Sequence, residues 1–146
     1  MNKIYTLGYG NWKKLQEFVR HFKTLKIGVL ADVRRFPKSK NPEFTKENLE
    51  IKLPKSGIKN ECMSETLGGF RRGGYQKHME TEEYKSGIKR LLEIAEESNI
   101  AIMCVEPNYK HCHRRFIMQT LSETGVNVVP VEKRTKTESK INTFLS

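Results

Sequence analysis

Two short segments, Ile27 to Ala31 (IGVLA) and Ile100 to Val105 (IAIMCV), are apolar at nearly every position rather than at alternate ones. A strand with one wet face alternates apolar and polar side chains, whereas a continuous apolar run needs cover on both faces. Helices on each side of a sheet supply that cover, and they also connect parallel strands. The two runs therefore point to the α/β class.

The rest of the chain agrees. Lys3 to Leu7 (KIYTL) is rich in β-formers and ends in the turn Gly8-Tyr9-Gly10. Leu15, Phe18, Val19, Phe22 and Leu25 fall on one helical stripe, with Asn11 as its expected cap. Thr45 is placed to cap a short helix that runs to about Leu53 and stops at Pro54. Ile58 to Met63 is an expected strand. Thr81, followed by Glu82 and Glu83, starts a helix with Tyr84, Ile88, Leu91, Leu92 and Ala95 on its apolar face. A further helix is expected from about Cys112 to Glu123, with Gly125 as its stop, and Val126 to Val131 is a last strand. The expected fold is a single three-layer α/β domain over residues 1–131, a mostly parallel sheet with helices on both faces. A basic C-terminal tail, residues 132–146, follows it.

Composition narrows the function classes. The 146 residues suit one domain, and although only 36% are hydrophobic, their periodic clustering excludes a disordered chain. No apolar run approaches a membrane span, and MNKIYTLGYG lacks a signal-peptide core, so a cytoplasmic protein without membrane contact is expected. Three cysteines, an odd number, argue against a secreted disulfide scaffold. The formal net charge is +10, of which residues 1–75 carry +9. Such asymmetry suits an anionic partner, a nucleotide or nucleic acid, although it also suits a merely solvated surface.

In parallel α/β sheets the ligand crevice lies at the carboxyl ends of the strands. Three loops are expected there. In the first, the backbone amides of Gly8 to Asn11 can hold an anion or form a simple turn. In the second, Asp32 follows a buried strand directly and Arg34 stands two residues on. Asp32 is either a base, a ribose or metal contact, or the structural partner of Arg34. The third, Cys104 to Arg115 (CVEPNYKHCHRR), packs two Cys, two His, one Glu and three basic residues before a helix. A thiol at a helix N-terminus has a lowered pKa, and Arg114 in the first turn opposes the helix dipole unless an anion sits beside it. Glu106 or a ligand would be that anion.

Several chemistries compete for this segment. A Cys-x5-Arg phosphate cradle does not fit, because Arg114 stands ten residues after Cys104. A closed zinc site lacks a Cys-x2-Cys pair, so no metal ligands are assigned and the cofactor is left open. Acid–base or electrostatic work by Asp32, Glu106 and His113, with Arg34 and Arg114 holding phosphate, remains. Thiol chemistry by Cys104 and Cys112 remains as well, against the plain alternative that Cys104 is a small core residue. The loop LGGFRRGGY adds Arg71, Arg72 and Tyr75, residue types suited to phosphate contact and stacking. Gly8 completes the expected substrate-binding set of Gly8, Arg34, Arg71, Arg72, Tyr75 and Arg114.

TLGYGN, DVRRFPKSKNPEF, GIKNECMSETLGG, GYQKHMETEEY and IMCVEPNYKHCHRR follow one another in an order and spacing similar to the family named domain of unknown function 488. The resemblance spans about residues 4–131. The family pattern usually reads T-[IL]-G-H-S near its start, where this chain has Tyr9 and Gly10. The positions Asp32, Arg34, Pro37, Ser39, Gly68, Gly69, Tyr75, Cys104, Glu106, Cys112, His113 and Arg114 match. The resemblance implies a compact α/β domain and names no reaction. The expected function is binding, and processing, of a phosphate-bearing ligand, nucleotide or nucleic acid, at the strand ends. A non-catalytic nucleic-acid-binding module and a thiol- or metal-dependent protein using Cys104 and Cys112 are the alternatives.

Overall fold

A computed structural model describes residues 2–131. Five parallel strands form one sheet: β1 (Ile4–Gly8), β2 (Ile27–Asp32), β3 (Lys59–Cys62), β4 (Asn99–Cys104) and β5 (Val128–Pro130). Their order is β3-β2-β4-β1-β5. The helices are α1 (Leu15–Thr24), α2 (Lys46–Lys52), α3 (Ser64–Leu67), α4 (Tyr75–His78), α5 (Glu82–Glu97) and α6 (Arg114–Glu123). The expected α/β domain is thus present, while the basic tail lies outside the described residues.

The two-residue period of the strands sorts side chains into two cores. Ile4, Ala31, Ile100, Ile102 and Cys104 pack under α5 and α6, against Tyr84, Ile88, Leu91, Ile117 and Leu121. Tyr5, Leu7, Leu30, Ala101 and Met103 pack under α1 and α2, against Phe18, Phe22, Leu49 and Leu53. β4 lies between β1 and β2 and is covered on both faces, which is why IAIMC carries almost no polar side chain. No helix among the described residues is long and apolar enough to cross a membrane.

Local chemistry sets most element ends as expected. Thr45 Oγ1 accepts the Asn48 N–H at 3.2 Å, and Thr81 Oγ1 accepts that of Tyr84 at 3.2 Å, so both cap their helices. The start of α1 differs. Asn11 closes a 3-10 turn, Tyr9–Asn11, and Lys14 precedes the helix without a side-chain cap. The first α1 amide, on Leu15, instead donates to Glu43 Oε1 at 3.1 Å. That carboxylate comes from another 3-10 turn, Pro42–Phe44, in the segment between β2 and α2. The last helix also starts later than expected, at Arg114 rather than Cys112.

Candidate functional site: a dithiol at the carboxyl end of β4

Beyond the carboxyl end of the central strand β4, the segments that follow β2, β3 and β4 meet. A pocket of about 630 Å³ opens there. It is lined among others by Arg35, Phe36, Phe70, Cys104, Cys112 and His113, and that volume suits a small ligand.

The two thiols meet at its floor. Cys104 ends β4 with its side chain in the α5–α6 core, and Cys112 stands two residues before α6. Their Sγ atoms lie 3.2 Å apart. Arg114 Nε donates to both, at 3.0 Å to Cys104 Sγ and 3.2 Å to Cys112 Sγ. The Arg114 backbone N–H also donates to Cys112 Sγ, at 3.3 Å. Sulfur thus satisfies the first amide of α6, while His113, the residue directly before the helix, makes no side-chain cap. The side chains that meet Arg114 at the head of α6 are therefore the two thiols rather than the Glu106 carboxylate. Glu106 contributes its backbone carbonyl, which accepts from Arg114 Nη2, while its Oε1 accepts the Asn108 N–H at 3.1 Å.

The surroundings separate the two thiols. Cys104 donates its S–H to Cys112, which lowers the Cys112 pKa to about 4, with help from His113 and Arg114 and against the cost of burial. The same hydrogen bond and burial push Cys104 up. Only Cys112 receives a backbone N–H as well, so the negative charge belongs on Cys112 and the proton on Cys104.

Arg114 is held on every side. It is 1% exposed, and its Nη1 donates to Thr6 Oγ1 of β1 at 2.9 Å. It does not line the pocket. His113 does, and its Nε2–H donates to Val33 O at 2.8 Å. Gly69 packs against that imidazole, where an added Cβ would lie 2.9 Å from Nδ1. Tyr75 lies beside His113, its ring tilted at 53° with centroids 5.2 Å apart, and donates its hydroxyl to Leu67 O at 2.8 Å. Burial raises the Tyr75 pKa, so it is a neutral wall of the site.

Asp32, Arg34 and Arg71, also expected at the site, have structural partners. Asp32 and Arg34 form a buried bidentate pair, with Nε to Oδ1 at 2.8 Å and Nη2 to Oδ2 at 2.6 Å. Arg34 Nη1 donates onward to Phe44 O at 2.7 Å, so the pair straps the 33–44 segment to the end of β2. Tyr9, standing where the family pattern has His, lies beneath this guanidinium, 5.3 Å from its ring centroid, and its hydroxyl donates to Ser39 Oγ at 2.6 Å. Gly8 is a packing requirement: a Cβ there would fall 1.8 Å from Glu106 O. Arg71 Nε and Nη2 donate to Gly68 O and Ser64 O at 2.8 and 3.0 Å, while Arg72 is exposed and does not line the pocket.

Arg35, Phe36 and Phe70 line the pocket without having been in the expected set. The repeated juxtaposition of arginine and phenylalanine, RRF at 34–36 and FRR at 70–72, was the available signal. Among the described residues, no group of three or more His, Cys, Asp or Glu is placed to hold a metal ion.

No curated protein and no solved structure matches the chain. The family model described as Domain of unknown function DUF488 matches residues 14–121, and the chain belongs to that family.

Proposed function

We propose that the pocket is a dithiol site that carries out thiol–disulfide exchange on a small anionic substrate. The observation that carries this reading is the 3.2 Å approach of Cys104 and Cys112 with one guanidinium nitrogen bridging both sulfurs. The Cys112 thiolate attacks one sulfur of a substrate disulfide. A Cys112–substrate disulfide forms, the substrate S–S bond breaks, and the released thiolate takes the proton of Cys104. Cys104, now a thiolate 3.0 Å from Arg114 Nε, attacks Cys112 Sγ. The Cys104–Cys112 disulfide forms and the second substrate thiolate leaves. Two electrons pass from the dithiol to the substrate, and an external thiol restores the protein.

In this reading His113 and Glu106 shape the pocket wall, and Asp32 with Arg34 fixes the loop that carries Arg35. The phosphate-type anion expected from the charge pattern is assigned chiefly to Arg35, which makes one long contact to Ser64 O, with Arg71 beside it, whose Nε and Nη2 are bound to Gly68 O, Ser64 O and Glu65 O. A non-catalytic nucleic-acid-binding module is the competing reading, supported by the +9 charge of residues 1–75. It requires inert thiols.

The test is treatment of the reduced protein with glutathione disulfide, followed by intact mass and peptide mapping. The expected product is an internal Cys104–Cys112 disulfide, formed already at pH 6. Two thiols that stay reduced at pH 6, or that end as separate glutathione adducts, reject the exchange mechanism.

A further inference from the structure

We infer that the mouth of this pocket is a clamp for a planar aromatic ring joined to an anionic group, the chemistry of a nucleoside phosphate. The inference deepens the small-substrate reading above but does not depend on thiol reactivity.

Phe36 and Phe70 are 63% and 88% exposed, although large aromatic side chains usually bury most of their surface. Both line the pocket. Their rings are within 25° of parallel, with centroids 6.4 Å apart. Carbon atoms in contact sit roughly 3.5–4 Å apart, so a ring held between two others needs roughly 7 Å. The pair is therefore within a small movement of admitting a flat ring. Phe70 also has φ of 54°, in the left-handed region that bulky residues disfavour. The carbonyl of Gly68, two residues earlier, is pinned by Arg71 Nε at 2.8 Å, which fixes the loop that presents Phe70 to solvent.

Charge completes the clamp. Arg35 Nη1 and Arg71 Nη2 converge on one acceptor, Ser64 O, at 3.4 and 3.0 Å. Two guanidinium groups on one carbonyl repel each other. Arg71 accordingly has its pKa lowered, by burial first and by the charge of Arg35 second. An anion between them removes that repulsion. Arg35 lies 5.9 Å from the Phe36 ring centroid, so the anion-binding group adjoins the stacking surface. A protein partner would need a much wider surface than two rings and a pocket of about 630 Å³.

The experiment is equilibrium titration calorimetry of the reduced full chain with adenosine 5′-monophosphate. Adenosine and ribose 5-phosphate serve as half-ligands, and an oligodeoxyadenylate distinguishes a free nucleotide from the end of a strand. The nucleotide is expected to bind one per chain, and each half-ligand more than tenfold more weakly. Phe70→Ala and Phe36→Ala should each weaken it roughly ten- to hundredfold, and Arg35→Gln at least tenfold. Because both phenylalanines are exposed, these variants keep the fold. Tighter binding of the oligomer with the same phenylalanine dependence supports the clamp with a polynucleotide as its source. No nucleotide binding at millimolar concentration, or binding indifferent to Phe36 and Phe70, overturns the inference. Binding is read without turnover, so inert thiols would reject the exchange chemistry and leave this result standing.

Discussion

Replacing Cys104 by alanine isolates what the second thiol does for the first. The substitution removes the S–H donor 3.2 Å from Cys112 Sγ and leaves the Arg114 contacts to Cys112 in place. A hydrogen bond to a charged group contributes roughly 1.5–3 kcal/mol. At about 1.36 kcal/mol per pKa unit, its loss should raise the Cys112 pKa from about 4 to roughly 5–6. Cys104→Ser retains a hydroxyl donor and should fall between the two. The assay is the rate of iodoacetamide alkylation of Cys112 across pH, in a Cys62→Ser background that removes the remaining thiol. The same variants should stop at a Cys112–glutathione mixed disulfide, because the attacking sulfur of the second step is gone. An alkylation profile for Cys104→Ala that overlays the parent profile would falsify the hydrogen-bonded thiol–thiolate pair. An alkylation midpoint near that of a free thiol in the parent protein would remove the premise altogether.

Three further outcomes follow from the same geometry. Asp32→Ala leaves the Arg34 charge buried without its partner and should cost about 3–5 kcal/mol, read as a lower urea midpoint. Gly8→Ala forces a Cβ to within 1.8 Å of the Glu106 carbonyl, an acceptor of Arg114. It should therefore both lower the melting temperature and raise the Cys112 alkylation pKa, whereas a change in neither shows that the 105–107 segment yields freely. The Cys112 pKa is lower in the folded than in the unfolded chain, so the thiolate stabilises the fold above the unfolded value, about 8.5, and this contribution fades as pH falls towards about 4. The stability gap between the parent and Cys112→Ala, measured by denaturant titration, should widen from pH 4 to pH 8, and a gap constant over that range contradicts the shift.

The strands and long helices were legible because their causes are local or periodic. IAIMC can only be a strand covered twice, and Thr45 and Thr81 carry their capping oxygens within three residues of the amides they serve. The start of α1 was not legible, since its amide partner is Glu43, 28 residues away. The same division runs through the site. The crowding of Cys, His and Arg before α6 marked the right segment, and the dipole argument required an anion beside Arg114. Which anion it is depends on where β4 ends. Cys104 reads from its neighbours as a small core residue, and so it is on one side: it packs with Ile102 and Ile117. Only the return of the chain from Val105 to Cys112 brings the second sulfur onto it.

The arginines show most clearly why residue type alone does not assign a role. Arg34 and Arg35 are neighbours in the sequence. Arg34 directs four of its five N–H groups to Asp32, Lys38 O and Phe44 O, and so stabilises a loop. Arg35 makes one long contact, to Ser64 O at 3.4 Å, and faces the pocket beside Phe36. A buried guanidinium must spend its donors on the protein, because leaving them unpaired costs more than the fold can spare. A guanidinium at a pocket rim keeps donors for a ligand. Burial therefore divides the arginine-rich motifs into a pair that builds the site, Arg34 and Arg114, and a pair at the pocket that the proposed ligand would meet, Arg35 with most donors open and Arg71 with Nε and Nη2 already bound to backbone carbonyls. Salt should weaken ligand binding through the second pair and leave the thiolate at Cys112, shielded by the first, nearly unchanged. A Cys112 alkylation midpoint that climbs steeply with ionic strength would show that the two pairs do not act separately.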